Sequence, residues 1–258
     1  MKRNIERLGR VVLSSLHVVG GLSILFGKIL VALFPPQSDL RETWRAFYKV
    51  GVLSAPIVVL TAIFTGAIMV IQSGHFVAQT QATSFVGWAA GFAVLAEIGP
   101  ILIGLMFSGR VGANNTAELG TMVVTEQVDA LRALAIDPIR YLTVPRFVAM
   151  VVMLFLLTAL GDAFALVGGA FTADILLDIP MTIFFQQVME AHLLDELFLG
   201  LVKGSMFGMT IAVVSCYFGL NVEGGATGVG RAVNASVVTA AIGIFLADLV
   251  VGVGWSLL

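Results

Sequence analysis

An all-α integral membrane protein with five transmembrane helices and a helix at its N-terminal end is the fold class this sequence predicts. Three observations carry it. Hydrophobic residues fill 59% of the 258 positions and charged residues only 12%, roughly half the charged share of an ordinary soluble domain; the mean hydropathy is +1.01. Five apolar runs each exceed the ~20 residues that cross a hydrocarbon core. Lys and Arg, Lys203 apart, are confined to the N-terminal segment and alternate connections between those runs.

The runs, in order, are Val50–Gln72, Phe85–Gly109, Phe147–Phe171, Leu199–Leu220 and Ala235–Leu258. In lipid a segment must satisfy its backbone polar groups internally, so each run reads as a helix. Pro56 and Pro100 are candidate kinks in the first and second spans. Val11–Phe34 is apolar too, but Ser14, Ser15, His17, Gly20, Gly21 and Lys28 dilute it. Basic residues flank it on both sides: Lys2, Arg3, Arg7 and Arg10 before, Arg41, Arg45 and Lys49 after. Crossing would strand one basic cluster outside, so residues 1–49 read as an interfacial or re-entrant segment on the cytoplasmic face. Arg110, Arg132, Arg140, Arg146 and Arg231 fall in connections on that same side, whereas 73–84 and 172–198 contain no Lys or Arg. The positive-inside rule then puts the N-terminus in the cytoplasm and the C-terminus on the far side. Residues 1–258 read as a single membrane domain, with a five-span core over 50–258. The single Cys216 excludes an internal disulfide, and no cleavable signal-peptide pattern is present.

The sequence holds no Walker-type phosphate loop. GGATGVGR at 224–231 reads as a flexible glycine-rich turn. Any uphill movement would draw on a partner or an ion gradient. Neither a cofactor, a metal nor a nucleic acid is expected on this chain. Gly200, Gly204 and Gly208, with Gly87 and Gly91, repeat every four residues, a spacing that lets helices approach closely in lipid.

Four charges lie inside the apolar runs: Glu97, Asp162, Lys203 and Asp248. A mid-bilayer charge costs roughly 2.5–3.5 kcal/mol on insertion scales, so such residues mark candidate functional sites. Glu97 and Asp162 are central in their spans; Lys203 either pairs with one of the acids or reaches the outer interface. Met69, Gln72, Phe76 and Val77 close the first span and are candidate walls of a path beside Glu97. After Gly109 the chain turns polar. The segment 116–136 carries Glu118, Glu126, Asp129 and Arg132, with apolar Met122, Val123, Leu131 and Leu134 at helical spacing. It is a solvated connector or an amphipathic helix offered to a cytoplasmic partner, and Asp137-Pro138 ends it.

Glu97–Pro100 (E-x-G-P), Gly109–Gly112 (G-R-x-G), Ala117–Gly120 (A-E-L-G), Thr125–Gln127 (T-E-Q), Asp137-Pro138 and Pro145-Arg146 together resemble the MlaE, or YrbE-like, permease family. These are membrane subunits of ABC lipid transporters, and the resemblance runs from about residue 45 to the C-terminus. It implies a permease that is not itself an enzyme and moves phospholipid between the bacterial inner membrane and a periplasmic carrier, maintaining outer-membrane lipid asymmetry. It further implies a homodimer, a cytoplasmic ATPase subunit that binds the ATP, a STAS-domain protein and a periplasmic MCE-domain hexamer. On this resemblance 116–136 is the coupling helix, with Glu118, Met122, Glu126, Asp129 and Leu131 facing the ATPase, while Glu97, Met69, Gln72, Phe76, Val77 and Lys203 line the lipid path. Ala96 departs from the pattern: relatives with a phospholipid role often place a basic residue there. Two other classes stay open at this point. One is an ion-coupled secondary transporter relaying protons through Glu97, Asp162 and Asp248; the other is a non-transporting scaffold.

Overall fold

A computed structural model describes residues 2–34, 40–80 and 86–257; side chains are described from 42 to 74, from 86 to 257 and over most of 13–34. Every regular element among them is helical. Five helices are long and apolar enough to cross a membrane: Glu42–Gly74, Val86–Val124, Ile139–Leu177, Leu194–Leu220 and Gly225–Ser256. The N-terminal helix α1, Lys2–Ala32, carries a shorter apolar stretch, Leu16–Ala32.

The first span joins α2 (Leu40–Phe47) through a π-helical turn, Tyr48–Val52, to α3 (Ala55–Thr80). The second is one continuous helix built from α4 (Val86–Ala93), α5 (Gly99–Phe107) and α6 (Ala113–Val124). Two π-helical turns, Val94–Ile98 and Ser108–Gly112, join its parts without leaving the right-handed region. The first has a clear local cause. Pro100 has no N–H to donate to the carbonyl four residues back, and a single widened turn absorbs the mismatch without breaking the span. Glu97 sits inside that turn. A short α7 (Gln127–Ala133) follows, then a π turn at Ile139–Thr143, the third span α8 (Val144–Leu177), a short α9 (Met181–Glu190), the fourth span α10 (Leu194–Leu220) and the fifth, α11 (Gly225–Ser256).

The core lies where α8, α10 and the second span meet. Phe107, Met150, Leu154, Phe207 and Ile211 are all at most 1% exposed and belong to one cluster, which Leu25 and Ile29 of α1 join. Because the surrounding lipid is as apolar as the side chains, close backbone approach does much of the holding. A Cβ added to Gly200 would lie 2.2 Å from the Leu95 carbonyl oxygen, and one added to Gly208 would lie 2.6 Å from that of Met150. The glycine spacing on α10 is therefore a packing face. Gly87 and Gly91 press in the same way against α9 and the turn after it, at Gln187 and Leu193.

Three boundaries differ from the sequence reading. The 116–136 segment is not one helix. Residues up to Val124 continue the second span, and Glu126 adopts a left-handed φ of 58° before α7 begins. The glycine-rich stretch is not a loose turn throughout: Gly224 and Gly225 alone take positive φ, of 87° and 67°, and α11 starts there, ten residues before the expected Ala235. The connection after the third span, to which the sequence reading assigned no element, contains α9.

Candidate functional site

Two polar centres interrupt the apolar bundle. The first is a triad within the spans. Lys203, completely buried on α10, stands 2.7 Å from Glu97 Oε2 and 2.9 Å from Asp248 Oδ1. Three helices converge on it. Gly200, one turn away on α10, lets that helix ride against the π turn that carries Glu97, and α11 supplies Asp248. Lys203 therefore does not reach for the outer interface; its ammonium is held between two carboxylates. That arrangement offsets much of the cost of charge at this depth. The pairing is asymmetric: the Asp248 side chain is 17% exposed but that of Glu97 is 47% exposed. One ammonium against two carboxylates leaves formal negative charge in excess, and the carboxylate free to meet a further group is that of Glu97. The partner that the sequence lacks at Ala96, itself buried, is supplied from the fourth span.

Asp162 stands apart. It is 1% exposed on α8 and neither carboxylate oxygen has a hydrogen-bond partner among the described residues. It lies against Gly99, where a Cβ would come within 2.6 Å of its Oδ1. The three intramembrane acids thus do not form one chain: two share Lys203, and the third faces the backbone beside the π turn. Met69 is partly buried and packs on Ala62, Val94 and Ala165, placing it beside that same turn, while Gln72 is exposed. Phe76 and Val77 lie outside the residues whose side chains are described.

The second centre is at the end of the bundle where the basic residues gather. Glu118 is ion-paired with Lys49 of the first span and lies 3.6 Å from Arg146 of the third. Arg146 also donates to Asn115 Oδ1 at 2.9 Å, and the Asn115 amide donates to Ser215 Oγ at 2.8 Å. Thr116 donates to Ser236 Oγ at 2.9 Å. Asn115, Thr116, Ser215 and Ser236 are all buried, so α6, α8, α10 and α11 are tied together by paired polar groups that would be costly to leave unmatched. Arg110 donates to the Leu53 carbonyl. The sequence flagged Arg110, Glu118 and Arg146 through their motifs. It gave no sign of the partners Lys49, Ser215 and Ser236, which come from distant spans.

Within this chain, several residues of the expected coupling surface have neighbours of their own. Glu118 faces the chain's own Lys49 and Arg146. Met122 and Leu131 are partly buried against the core, and Val128 is fully buried. The outward residues of the turn and α7 include Glu126, Asp129, Arg132 and the following Leu134, the last 71% exposed; Asp129 is paired with Arg132 at 2.8 Å.

A family model described as Permease MlaE matches residues 43–253, which takes in both polar centres and all five spans. A probable ABC transporter permease of Rickettsia felis is 34% identical over 246 residues, covering 95% of this chain and 94% of that protein. One from Synechocystis sp. is 36% identical over 224 residues, covering 87% and 85%. The chloroplastic protein TRIGALACTOSYLDIACYLGLYCEROL 1 of Arabidopsis thaliana is 31% identical over 238 residues, covering 92% and 68%. With five spans, a matched family model and relatives of nearly the same length, the chain belongs to the MlaE permease family and is a multi-pass transporter permease subunit.

Proposed function

We propose that this permease moves phospholipid across or out of the bacterial inner membrane, driven by a cytoplasmic ATPase subunit and delivering to or receiving from a periplasmic MCE-type carrier. The observation that carries the reading is the half-exposed Glu97 carboxylate on a fully buried Lys203, within the spans of a mostly apolar bundle. A wholly apolar cargo would need no such group, and the exposed carboxylate leaves Glu97 able to accept a further hydrogen bond. A headgroup passing through the bundle meets Glu97 as a hydrogen-bond acceptor while its acyl chains follow apolar walls. In this account the active unit is a homodimer, with a STAS-domain protein bound on the ATPase side, the N-terminus in the cytoplasm and the C-terminus in the periplasm. The fifth span supports the dimer: only 11% of its apolar window is buried within one chain.

Photo-crosslinking tests the path. Crosslinkers at Met69 and Gln72 should capture phospholipid in a yield that changes when the ATPase and ATP are added. Crosslinkers at Leu246 and Val250, on the outward face of α11, should be indifferent to ATP. Labelling that is equal and ATP-independent at all four positions would mean that the path does not pass there.

Coupling rests on the outward face of the turn and α7. Glu126→Lys reverses a charge on that face without touching the core, so ATPase docking should weaken about tenfold or more while the permease keeps its helicity. Co-purification of the ATPase at wild-type yield would remove Glu126 from the docking surface.

A further inference from the structure

The basic end of the bundle holds a cavity of about 550 Å³ between the start of the first span, the end of the second and the start of the third. That volume is within the range of small-molecule sites. Its charged lining is Arg45, Lys49, Arg110 and Arg146 against Glu42 and Glu118, a surplus of two positive charges. Arg45 is satisfied by Glu42 at 2.9 Å, and Glu118 is shared between Lys49 and Arg146. Arg110 bonds the Leu53 carbonyl and is paired with no carboxylate among the described residues. Ser54, 1% exposed, lines the same cavity, and its hydroxyl has no hydrogen-bond partner among the described residues. A buried hydroxyl without a partner beside an unneutralised guanidinium is an arrangement that an anionic oxygen would complete.

The surroundings say which kind of anion. Val50, Leu142 and Met150 supply apolar wall inside the cavity. Leu53 and Tyr141, also in the lining, are 46% and 44% exposed, an apolar and aromatic rim that suits the headgroup level of a bilayer. A dissolved phosphate has no use for such a rim, whereas a phosphodiester carrying acyl chains fits both parts.

We propose that this cavity binds the phosphate of an anionic phospholipid from the leaflet at the basic end, through Arg110, Lys49 and Ser54, as a site separate from the Glu97–Lys203–Asp248 triad. Basic pockets between spans hold anionic headgroups by this chemistry. Occupancy would fasten α2 and the first span to the end of the second, next to the turn that leads into α7.

The test is titration calorimetry on the delipidated full chain in detergent. Three probes are used: dihexanoylphosphatidylglycerol, dihexanoylphosphatidylcholine and inorganic phosphate. Saturable binding of the first is expected, with the second at least about tenfold weaker and the third weaker still. Arg110→Gln should weaken the first probe by about tenfold or more, and Arg110→Lys should retain most of the affinity. Should Arg110→Gln lose helicity, the exposed Lys49→Gln serves in its place, with the same weakening expected. Equal binding of both lipids, inorganic phosphate matching the lipid, or full affinity in the glutamine variants would each overturn the proposal. So would loss of lipid binding on adding the ATPase subunit, which would give the cavity to an acidic segment of that partner. Because the readout is binding alone, failure here leaves the transport reading intact.

Discussion

Lys203→Met should be the most damaging single substitution in the membrane core. Methionine matches lysine in length and suits the apolar wall around it, but it leaves Asp248 and Glu97 facing each other with no cation between them. Breaking a buried pair from one side costs about 3–5 kcal/mol, because the abandoned charge stays out of water. The expected result is a lower thermal midpoint of the detergent-purified permease, by several degrees, and little assembled complex. Adding Asp248→Asn should restore much of the stability, since an amide tolerates the site that a lone carboxylate does not, yet lipid transfer should stay low. A Lys203→Met protein with the wild-type midpoint would show that the triad does not hold the three helices. Full recovery of transfer in the double variant would show that its charge serves folding only.

The spans were legible because each is a run longer than a bilayer requires, and the glycines of α10 because a four-residue spacing has one main use in lipid. The π turn around Glu97 was half legible. Pro100 announces a disturbance, but the sequence cannot say whether a helix kinks or widens, since neighbouring packing decides that. That Lys203 pairs with an intramembrane acid was one of two readings the sequence offered, but which acids was not legible. Glu97 and Asp248 lie on other spans, and periodicity within a helix says nothing about which face another helix presents to it. The partners of Glu118 were hidden for a related reason: the amphipathic pattern of 116–136 marks an apolar stripe but not what covers it. In the structure Met122, Val123 and Leu131 pack on the chain's own core, Leu134 stays outward, and Glu118 is paired with Lys49 and Arg146. The left-handed Glu126 was hidden altogether, because no glycine or asparagine advertises the turn.

Glu97 itself should separate transport from assembly. Its side chain is half exposed, so removing its charge perturbs packing far less than removing Lys203. Glu97→Gln keeps the size and most of the hydrogen-bonding capacity; Glu97→Leu removes both the charge and the polar surface that a headgroup would meet. Both variants should assemble with their ATPase. Transfer should fall about tenfold in Glu97→Gln and further in Glu97→Leu, a loss in line with one charge-assisted hydrogen bond. The measurement is ATP-driven phospholipid transfer by reconstituted complexes, normalised to the amount of intact complex. A graded loss of transfer at constant assembly is the predicted result, and wild-type transfer by both variants would contradict a lipid path past the triad.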